Sequence, residues 1–363
     1  MMIVKHSEIF NPVKIESGIS SFEKILNSLS GNWLLLTSKG NTKRGFTERY
    51  MDISKKFINL TVYDEIKPNP EIEDLEELTN IFRSKNINGL IAIGGGSVID
   101  SAKVLSVTIP NNSKLGLTKI LRNNLEPCWE FSIPLIAVPT TAGTGAEVTP
   151  FAAVWDKKTN KKYSVSDNLI YPEFAILDPE LTKTLPYEHT LFPGLDAISQ
   201  ALESMWNKNS IPETENYAWK SLSYSCKSLP IILKDPSNIE HRELMLYASL
   251  MSGLAISKTK TAIAHSISYP LTSHYGVPHG LAASFTLPAL INDNFDLAKK
   301  EEQKKILNKT LEFLESVDMK GLINKYLTNQ ELFSLMPEMI SPGRADNYSK
   351  DFSLQDILEK SIN

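Results

Sequence analysis

The sequence contains little cysteine and no long apolar run. Cys128 and Cys226 are its only cysteines, and their spacing fits neither a disulfide framework nor a metal-binding cluster. No stretch approaches the roughly 18 consecutive apolar residues of a membrane span, and the N-terminus lacks the apolar core of a signal peptide. These absences predict a cytoplasmic protein that has no membrane partner.

An excess of positive charge is missing as well. The formal net charge is -4, so no nucleic-acid-binding surface is expected. Charged residues make up 22% of the chain and hydrophobic residues 42%, as in ordinary globular proteins. A chain of 363 residues is long enough for two domains and a large core.

Short β-rich runs alternate with helical patterns through the first half of the chain. The patterns predict strands at 32–38, 58–64, 89–95, 134–140 and 174–179, a hairpin of 152–156 with 161–165, and helices at 71–87 and 97–109. Strands that alternate with helices predict a mostly parallel sheet that is covered on both faces.

The sequence pattern changes after Leu181, where strand-like runs become rare. Long helical patterns follow at 190–207, 216–233, 239–259 and 297–317, with a terminal helix in 351–363. We therefore predict an α/β domain over 1–184 and an all-α domain over 185–363. The cleft between two such domains is a common place for a ligand.

A glycine run separates a predicted strand from a predicted helix in GLIAIGGGSVIDSAK. Gly94, Gly95 and Gly96 let the backbone approach an anion closely, because no Cβ atoms intervene. The helix that begins near Ser97 offers free N–H groups and the positive end of its dipole, which suits a pyrophosphate. The alternative is a plain strand-to-helix turn, since the run does not match the GxGxxG fingerprint.

Four scattered residues form a candidate metal site. Asp196 and Gln200 are four residues apart in a helical pattern, so both project from one helix face. With His265 and His279 they can hold one divalent metal, for which Fe(II) and Zn(II) are both suitable. Such a metal can polarise a carbonyl group. Taken alone, each histidine could instead be a buried core residue.

Three further segments accompany these residues: GGGSVID at 94–100, VPTTAGTGAE at 138–147 and KKYSVSDNLIYPEFAILDPELT at 161–182. In this order, the segments and the candidate metal residues resemble the iron-containing (group III) alcohol dehydrogenases. The resemblance implies a dehydroquinate synthase-like architecture, with a Rossmann-like nucleotide-binding domain before an all-α metal-binding domain. It also implies hydride transfer between NAD(P)(H) and a small aldehyde or alcohol, in a homodimer or larger homo-oligomer.

The resemblance assigns cofactor contacts to several residues. It implies that Gly94, Gly95, Gly96 and Ser97 bind the cofactor phosphates and that Asp100 lies nearer the nicotinamide. It also implies that Thr140, Thr141 and Thr144 line the adenosine and phosphate region and that Lys162 contacts the phosphates. Many NAD-preferring relatives carry an acidic residue where this chain has Ser38, and Lys39 adds a positive charge beside it. We therefore expect NADP(H), or the use of both NADP(H) and NAD(H).

Gln200 departs from the family pattern, in which a histidine stands four residues after the aspartate. A carboxamide oxygen is a weaker ligand than imidazole for zinc or iron. Gln200 can therefore bind weakly, leave its place to water, or mark the loss of the metal. Tyr269 stands where many relatives have a further histidine near the nicotinamide. It could donate a proton, although an ordinary tyrosine pKa of about 10 makes it a poor relay at neutral pH.

The late segment SPGRADNYS at 341–349 and Gln200 are similar to the branch of the family that reduces phosphonoacetaldehyde to 2-hydroxyethylphosphonate. A phosphonate group needs a cation, and Arg344 is the candidate, unless it only anchors a C-terminal loop. Three other functions stay open: a general small-aldehyde reductase, a dehydroquinate synthase-like lyase, and a metal-free nucleotide-binding protein without turnover.

Overall fold

The computed structural model of the protein describes residues 11–54, 58–111 and 115–362. Its strands are β1 Lys14–Ser17, β2 Gly31–Leu36, β3 Ile58–Tyr63, β4 Gly89–Gly94, β5 Leu135–Pro139, β6 Phe151–Asp156, β7 Lys161–Ser166 and β8 Phe174–Leu177. Six strands form one parallel sheet in the order β1-β8-β5-β4-β2-β3, and β6 pairs with β7 in an antiparallel hairpin. The predicted sheet and the predicted hairpin are both confirmed.

Helices cover both faces of the sheet. They are α1 Ser21–Leu26, α2 Lys39–Lys43, α3 Phe46–Ser54, α4 Ile72–Arg83, α5 Gly96–Thr108 and α6 Leu117–Arg122. Alternate residues of a strand point to opposite faces, so Leu90 joins a core with α4 and α5, whereas Ile91 joins a core with Phe22 and Tyr50. β4 and β5 are consequently buried along their whole length.

Several elements differ from the sequence-based expectation, among them an edge strand and the end of a helix. β1 was not predicted, because this short edge strand is exposed at all of its positions and has no apolar pattern. It forms by pairing with β8, a partner far along the chain. The helix predicted at 71–87 ends at Arg83, and the chain then reaches Asn88, which is bound to the start of β2 through hydrogen bonds with Asn32.

The second half is helical. Its helices are α7 Tyr187–Met205, α8 Pro212–Lys234, α9 Ile239–Thr259, α10 Ile263–Tyr275, α11 His279–Ala282, α12 Leu287–Asp293, α13 Glu301–Ser316, α14 Met319–Ile323, α15 Asn329–Ser334 and α16 Leu354–Ile362. No strand follows β8 in the described part of the chain, so the predicted change from α/β to all-α is confirmed. The division at residues 184 and 185 stays a prediction. Among the described helices, none combines the length and apolar character that crossing a membrane requires.

The two halves share a packed core and a close backbone contact. Val148 and Leu177 of the sheet half pack with Leu246 and Leu250 of α9. The loop after β5 approaches α9 so closely that a Cβ atom on Gly145, whose φ is +61°, would lie 2.3 Å from the Gly253 Cα. This contact holds the loop against the helical half.

The close contact can be tested with the substitution Gly253→Ala. The new Cβ would lie 2.7 Å from the Gly145 Cα and 2.9 Å from Cγ2 of the buried Val148, so backbone as well as a core side chain would have to shift. We expect the free energy of unfolding to fall by about 1–3 kcal/mol, measured by denaturant titration. Gly40→Ala is the matched control, because its nearest contact is Ser38 Oγ at 3.6 Å. Equal stability of both variants would contradict the packing described.

Candidate metal and cofactor site

One face of α7 carries three buried polar side chains. Asp196, Gln200 and Glu203 lie on this face at helical spacing, and each is at most 3% exposed. Buried polar groups need partners, because an unpaired carboxylate in a protein interior is costly. The elements around α7 must therefore supply those partners.

His265 in α10 and His279 at the start of α11 face Asp196. His265 Nε2 lies 3.2 Å from Asp196 Oδ1, and His279 Nε2 lies 4.0 Å from the same oxygen. One ligand atom from each of the three residues falls within 4.8 Å of the others. Asp196 Oδ1 and His279 Nδ1 have no hydrogen-bond partner among the described residues. The three residues suit a divalent metal, because a carboxylate and two imidazoles converge and two of their polar atoms have no hydrogen-bond partner among the described residues.

The electrostatics of this pocket favour a cation. Burial alone would lower the pKa of His265, but the charges of Glu203 and Asp196 outweigh burial and raise this pKa to about 10. Burial and the charge of Lys162 lower the pKa of His279 to about 3, so its ring is neutral and can offer a lone pair. The carboxylates that favour a proton on His265 would also stabilise a divalent metal bound there instead of the proton.

Gln200, the fourth predicted ligand, has both ends of its amide engaged. Its Nε2 donates to Asp196 Oδ2 at 3.0 Å and to the Thr144 carbonyl oxygen at 3.3 Å. Its Oε1 accepts from Ser252 Oγ at 3.0 Å. These bonds keep Asp196 Oδ2 toward Gln200, which leaves Oδ1 for the histidines. Ligation of a metal by Gln200 stays a prediction; in this arrangement its amide orients the carboxylate.

Glu203 is a site residue that the sequence motifs do not reveal. Its Oε2 lies 2.5 Å from His265 Nδ1, and its Oε1 accepts from the backbone N–H groups of Ala264 at 2.6 Å and His265 at 3.2 Å. Nδ1 is thereby held as the donor, and Nε2 faces Asp196. A carboxylate seven residues after Asp196, on the same helix face, was the signal that could have identified it.

The predicted phosphate loop lies at the carboxyl ends of β4 and β5. β2 connects to β3 on one side and β4 connects to β5 on the other, so the strand order predicts a crevice between the carboxyl ends of β2 and β4. Gly94 ends β4 and its carbonyl oxygen accepts from the Thr140 N–H at 2.9 Å. α5 begins at Gly96 with no side chain capping it, so its first N–H groups are available to an anion. Ser97 Oγ accepts from the Asn69 N–H at 3.2 Å.

The threonines after β5 contact the glycine run. A Cβ atom at Gly95 would lie 3.1 Å from Thr141 Oγ1, and one at Gly96 would lie 2.7 Å from Thr144 Cγ2. The two predicted cofactor loops are therefore in contact, and side chains on these glycines would force them apart. Since the Thr144 carbonyl also binds Gln200, the cofactor loops and the metal pocket adjoin.

Ser38 lies across the crevice, between the carboxyl end of β2 and the start of α2. The neighbouring Lys39 Nζ forms an exposed ion pair with Glu65 Oε1 at 2.8 Å. Exposed pairs contribute little free energy, so Glu65 competes only weakly with a phosphate for this lysine. The preference for NADP(H) over NAD(H) stays a prediction.

Asp100 connects α5 to the hairpin, and Lys162 connects the hairpin to the helical half. Asp100, near the start of α5, accepts from the Ala153 N–H of β6 at 2.9 Å, and its other oxygen lies 3.9 Å from Lys103 Nζ. Burial raises the pKa of Asp100, against the charges of Lys103 and Lys162. Lys162 in β7 reaches the helical half, where its Nζ lies 4.4 Å from the centre of the Tyr269 ring.

Tyr269 and Arg344 meet beside the metal pocket. Arg344 Nε donates to Tyr269 Oη at 2.9 Å. Burial would raise the pKa of Tyr269, but the charges of Lys162, Arg344 and His265 together bring it down to about 8. The structure thus brings the predicted catalytic tyrosine, the predicted substrate arginine and Lys162 together at one place.

Fold and site together describe a nucleotide-binding α/β protein with a candidate metal centre in its helical half. Sequence profiles agree with this description: the iron-containing alcohol dehydrogenase profile matches residues 12–179, and the C-terminal profile of the Fe-containing alcohol dehydrogenase family matches residues 190–340. The chain belongs to the iron-containing alcohol dehydrogenase family.

Individual relatives show how far the similarity extends. The chain is 31% identical over 250 residues to the NAD-dependent methanol dehydrogenase of Bacillus methanolicus, covering 69% of this chain and 64% of that protein. It is 27% identical to the NADPH-dependent butanol dehydrogenase of Clostridium saccharobutylicum, and the match covers 95% of this chain and 86% of that protein. A similar solved structure is the crystal structure of sulfoacetaldehyde reductase from Bifidobacterium kashiwanohense in complex with NAD+. It is 27% identical with a TM-score of 0.86, and the match covers 100% of this chain and 98% of that chain.

The family consists of NAD(P)-dependent oxidoreductases that use a divalent metal. The predicted classes of cofactor, NAD(P)(H) and a divalent metal, are therefore confirmed. In the present chain, the parallel sheet, the glycine loop and the three converging side chains fit this assignment.

Glu203→Gln tests the support of the metal pocket. The substitution keeps the volume and an acceptor for the backbone N–H groups but removes the charge beside His265. We expect affinity for Zn(II) or Fe(II) to fall about 10- to 100-fold, measured by calorimetric titration of chelator-stripped protein. Glu215→Gln, on the exposed surface of α8, is the control. An unchanged affinity in Glu203→Gln would show that His265 needs no such support.

Proposed function

We propose that the protein is a metal-dependent, NAD(P)H-linked alcohol dehydrogenase that reduces a small aldehyde, acting in the cytoplasm as a homodimer or larger homo-oligomer. The observation that carries this proposal is the convergence of Asp196, His265 and His279 in one pocket. The Gln200–Thr144 hydrogen bond supports it, because this bond joins the pocket to a predicted cofactor loop.

Each side chain of the pocket has a defined task in this proposal. A divalent metal held by Asp196, His265 and His279 would supply Lewis acidity toward a carbonyl oxygen, and the nicotinamide would supply the hydride. Gln200 keeps the Asp196 carboxylate oriented through its 3.0 Å bond to Oδ2. Glu203 keeps the His265 ring oriented through Nδ1.

Tyr269 is the proton donor that we propose. Its Oη accepts from Arg344 Nε, which leaves its own O–H free to donate to a substrate oxygen. Its pKa of about 8 makes the phenol a better acid near neutral pH than an ordinary tyrosine. Water and a ribose hydroxyl of the cofactor are the alternative donors.

The substrate that we propose is phosphonoacetaldehyde, reduced to 2-hydroxyethylphosphonate, with Arg344 as a cation for the phosphonate. The support is the position of Arg344 beside Tyr269 and the similarity to a reductase of sulfoacetaldehyde, another small aldehyde that ends in an acid group. The methanol and butanol dehydrogenases among the relatives favour the alternative, a general short-chain alcohol dehydrogenase.

Oxidation of NADPH and NADH with phosphonoacetaldehyde and with simple aldehydes tests the proposed activity. Chelator-stripped protein is assayed with and without added Fe(II) or Zn(II). We expect turnover only with metal, because the carbonyl would otherwise lack its Lewis acid. The variant His279→Ala should lose at least about 100-fold in kcat/KM at limiting metal. Nucleotide binding without turnover under any of these conditions would favour a catalytically silent protein.

Tyr269→Phe tests the proton donor. In the wild type, kcat for aldehyde reduction should fall as the pH rises through about 8, because the phenol loses the proton that it must donate. The variant should lose about 100-fold in kcat at lower pH and should lack this alkaline limb. Tyr275→Phe, at the end of the same helix, is the control. The same pH profile in Tyr269→Phe and wild type would assign the proton to another donor.

A further inference from the structure

Two positive side chains flank Tyr269 at the edge of the metal pocket. Lys162 Nζ lies 4.4 Å from the centre of the tyrosine ring, and Arg344 Nε donates to its hydroxyl at 2.9 Å. The two come from distant parts of the chain, the hairpin and the segment before α16, so only the folded protein places their charges together.

Neither charge has a close acidic partner in the part of the chain that the structure describes. Among the described residues, no carboxylate lies within ion-pair distance of Lys162 or Arg344, whereas Lys157 and Lys158 of the same hairpin pair with glutamates. Asp100 is the acid whose charge reaches Lys162, but it already accepts from a backbone N–H and faces Lys103. A site with two uncompensated cations beside a pocket attracts an anion.

Both cations are held in place before any ligand arrives. The Lys162 ammonium lies near two aromatic rings, 5.4 Å from the centre of the Trp155 ring and 4.4 Å from the centre of the Tyr269 ring. Arg344 is fixed by its bonds to Tyr269 and to the Gly343 carbonyl oxygen at 2.9 Å, and its Nη2 makes no hydrogen bond to a described residue. Donors fixed in this way lose little freedom when they bind a ligand.

The positive charge extends to the groups that would meet the substrate. Tyr269 lies one helical turn after His265, one of the three candidate metal ligands, on the same face of α10. Together with Arg344, Lys162 opposes the effect of burial on the pKa of Tyr269. An anion bound between the two cations would thus lie close to the pocket in which the carbonyl reacts.

We propose that Lys162 and Arg344 form a subsite for the acid group of the substrate, a tetrahedral phosphonate or sulfonate carried a short distance from the aldehyde. This inference rests on the proposed function, and it assigns Lys162 to the substrate instead of to the cofactor phosphates. Charge-assisted hydrogen bonds from an ammonium and a guanidinium suit the oxygens of such a group. Simple aldehydes have nothing to place in this subsite.

The test compares Lys162→Gln and Arg344→Gln with the control Lys161→Gln, which alters the neighbouring exposed lysine. KM is measured for phosphonoacetaldehyde, for its sulfonate analogue, for butanal and for NADPH. We expect each subsite variant to raise KM for the acidic aldehydes about 10- to 100-fold more than KM for butanal. Lys161→Gln should leave all four KM values unchanged. A preference for phosphonate over sulfonate in the wild type identifies which tetrahedral anion the subsite holds.

Binding of phosphonoacetate, which has no aldehyde to reduce, is measured by calorimetry on the same proteins and separates the subsite from the catalytic proposal. Weaker binding in the two variants than in Lys161→Gln supports the subsite even if no aldehyde is turned over. A rise in KM for NADPH in Lys162→Gln, with unchanged phosphonoacetate affinity, would return this lysine to the cofactor. Turnover of butanal with no preference for acidic aldehydes would overturn the subsite while the dehydrogenase activity stands.

Discussion

The buried carboxylate of Asp196 is the constraint on which the site depends. A negative charge with almost no exposure must be compensated, because its isolation from water is costly. Gln200 satisfies Oδ2, and the two histidines face Oδ1. Glu203 adds a second negative charge behind His265, so the pocket contains more negative charge than its own side chains neutralise. A divalent metal among these ligands would resolve that imbalance.

The fold connects this pocket to the nucleotide-binding edge through short, specific contacts. Thr144 faces the glycine run with its side chain and binds Gln200 with its carbonyl oxygen. Asp100 ties the start of α5 to β6, and the hairpin then carries Lys162 to Tyr269. A cofactor at the carboxyl edge of the sheet and a substrate at the metal would therefore meet between the two halves, where transfer of a hydride requires them.

The sheet and part of the site could be predicted from the sequence, because each depends on the pattern of neighbouring residues. The alternation of apolar runs indicated the parallel sheet, and the spacing of Asp196 and Gln200 placed both on one helix face. The remainder depends on contacts between distant residues. β1 forms only against β8, the contact of Glu203 with His265 joins residues that are 62 positions apart, and Lys162 approaches Tyr269 only through the hairpin. Such contacts leave no periodic pattern in the amino-acid sequence. The domain division and the roles of the individual site residues stay predictions.

The most direct test of the account is anomalous diffraction at the iron or zinc absorption edge, from crystals of protein reconstituted with that metal. We predict one strong peak in the helical half, bounded by Asp196 Oδ1, His265 and His279, with the Gln200 amide still bound to Asp196 Oδ2. A peak elsewhere, or none in fully reconstituted protein, would contradict the three-residue metal site.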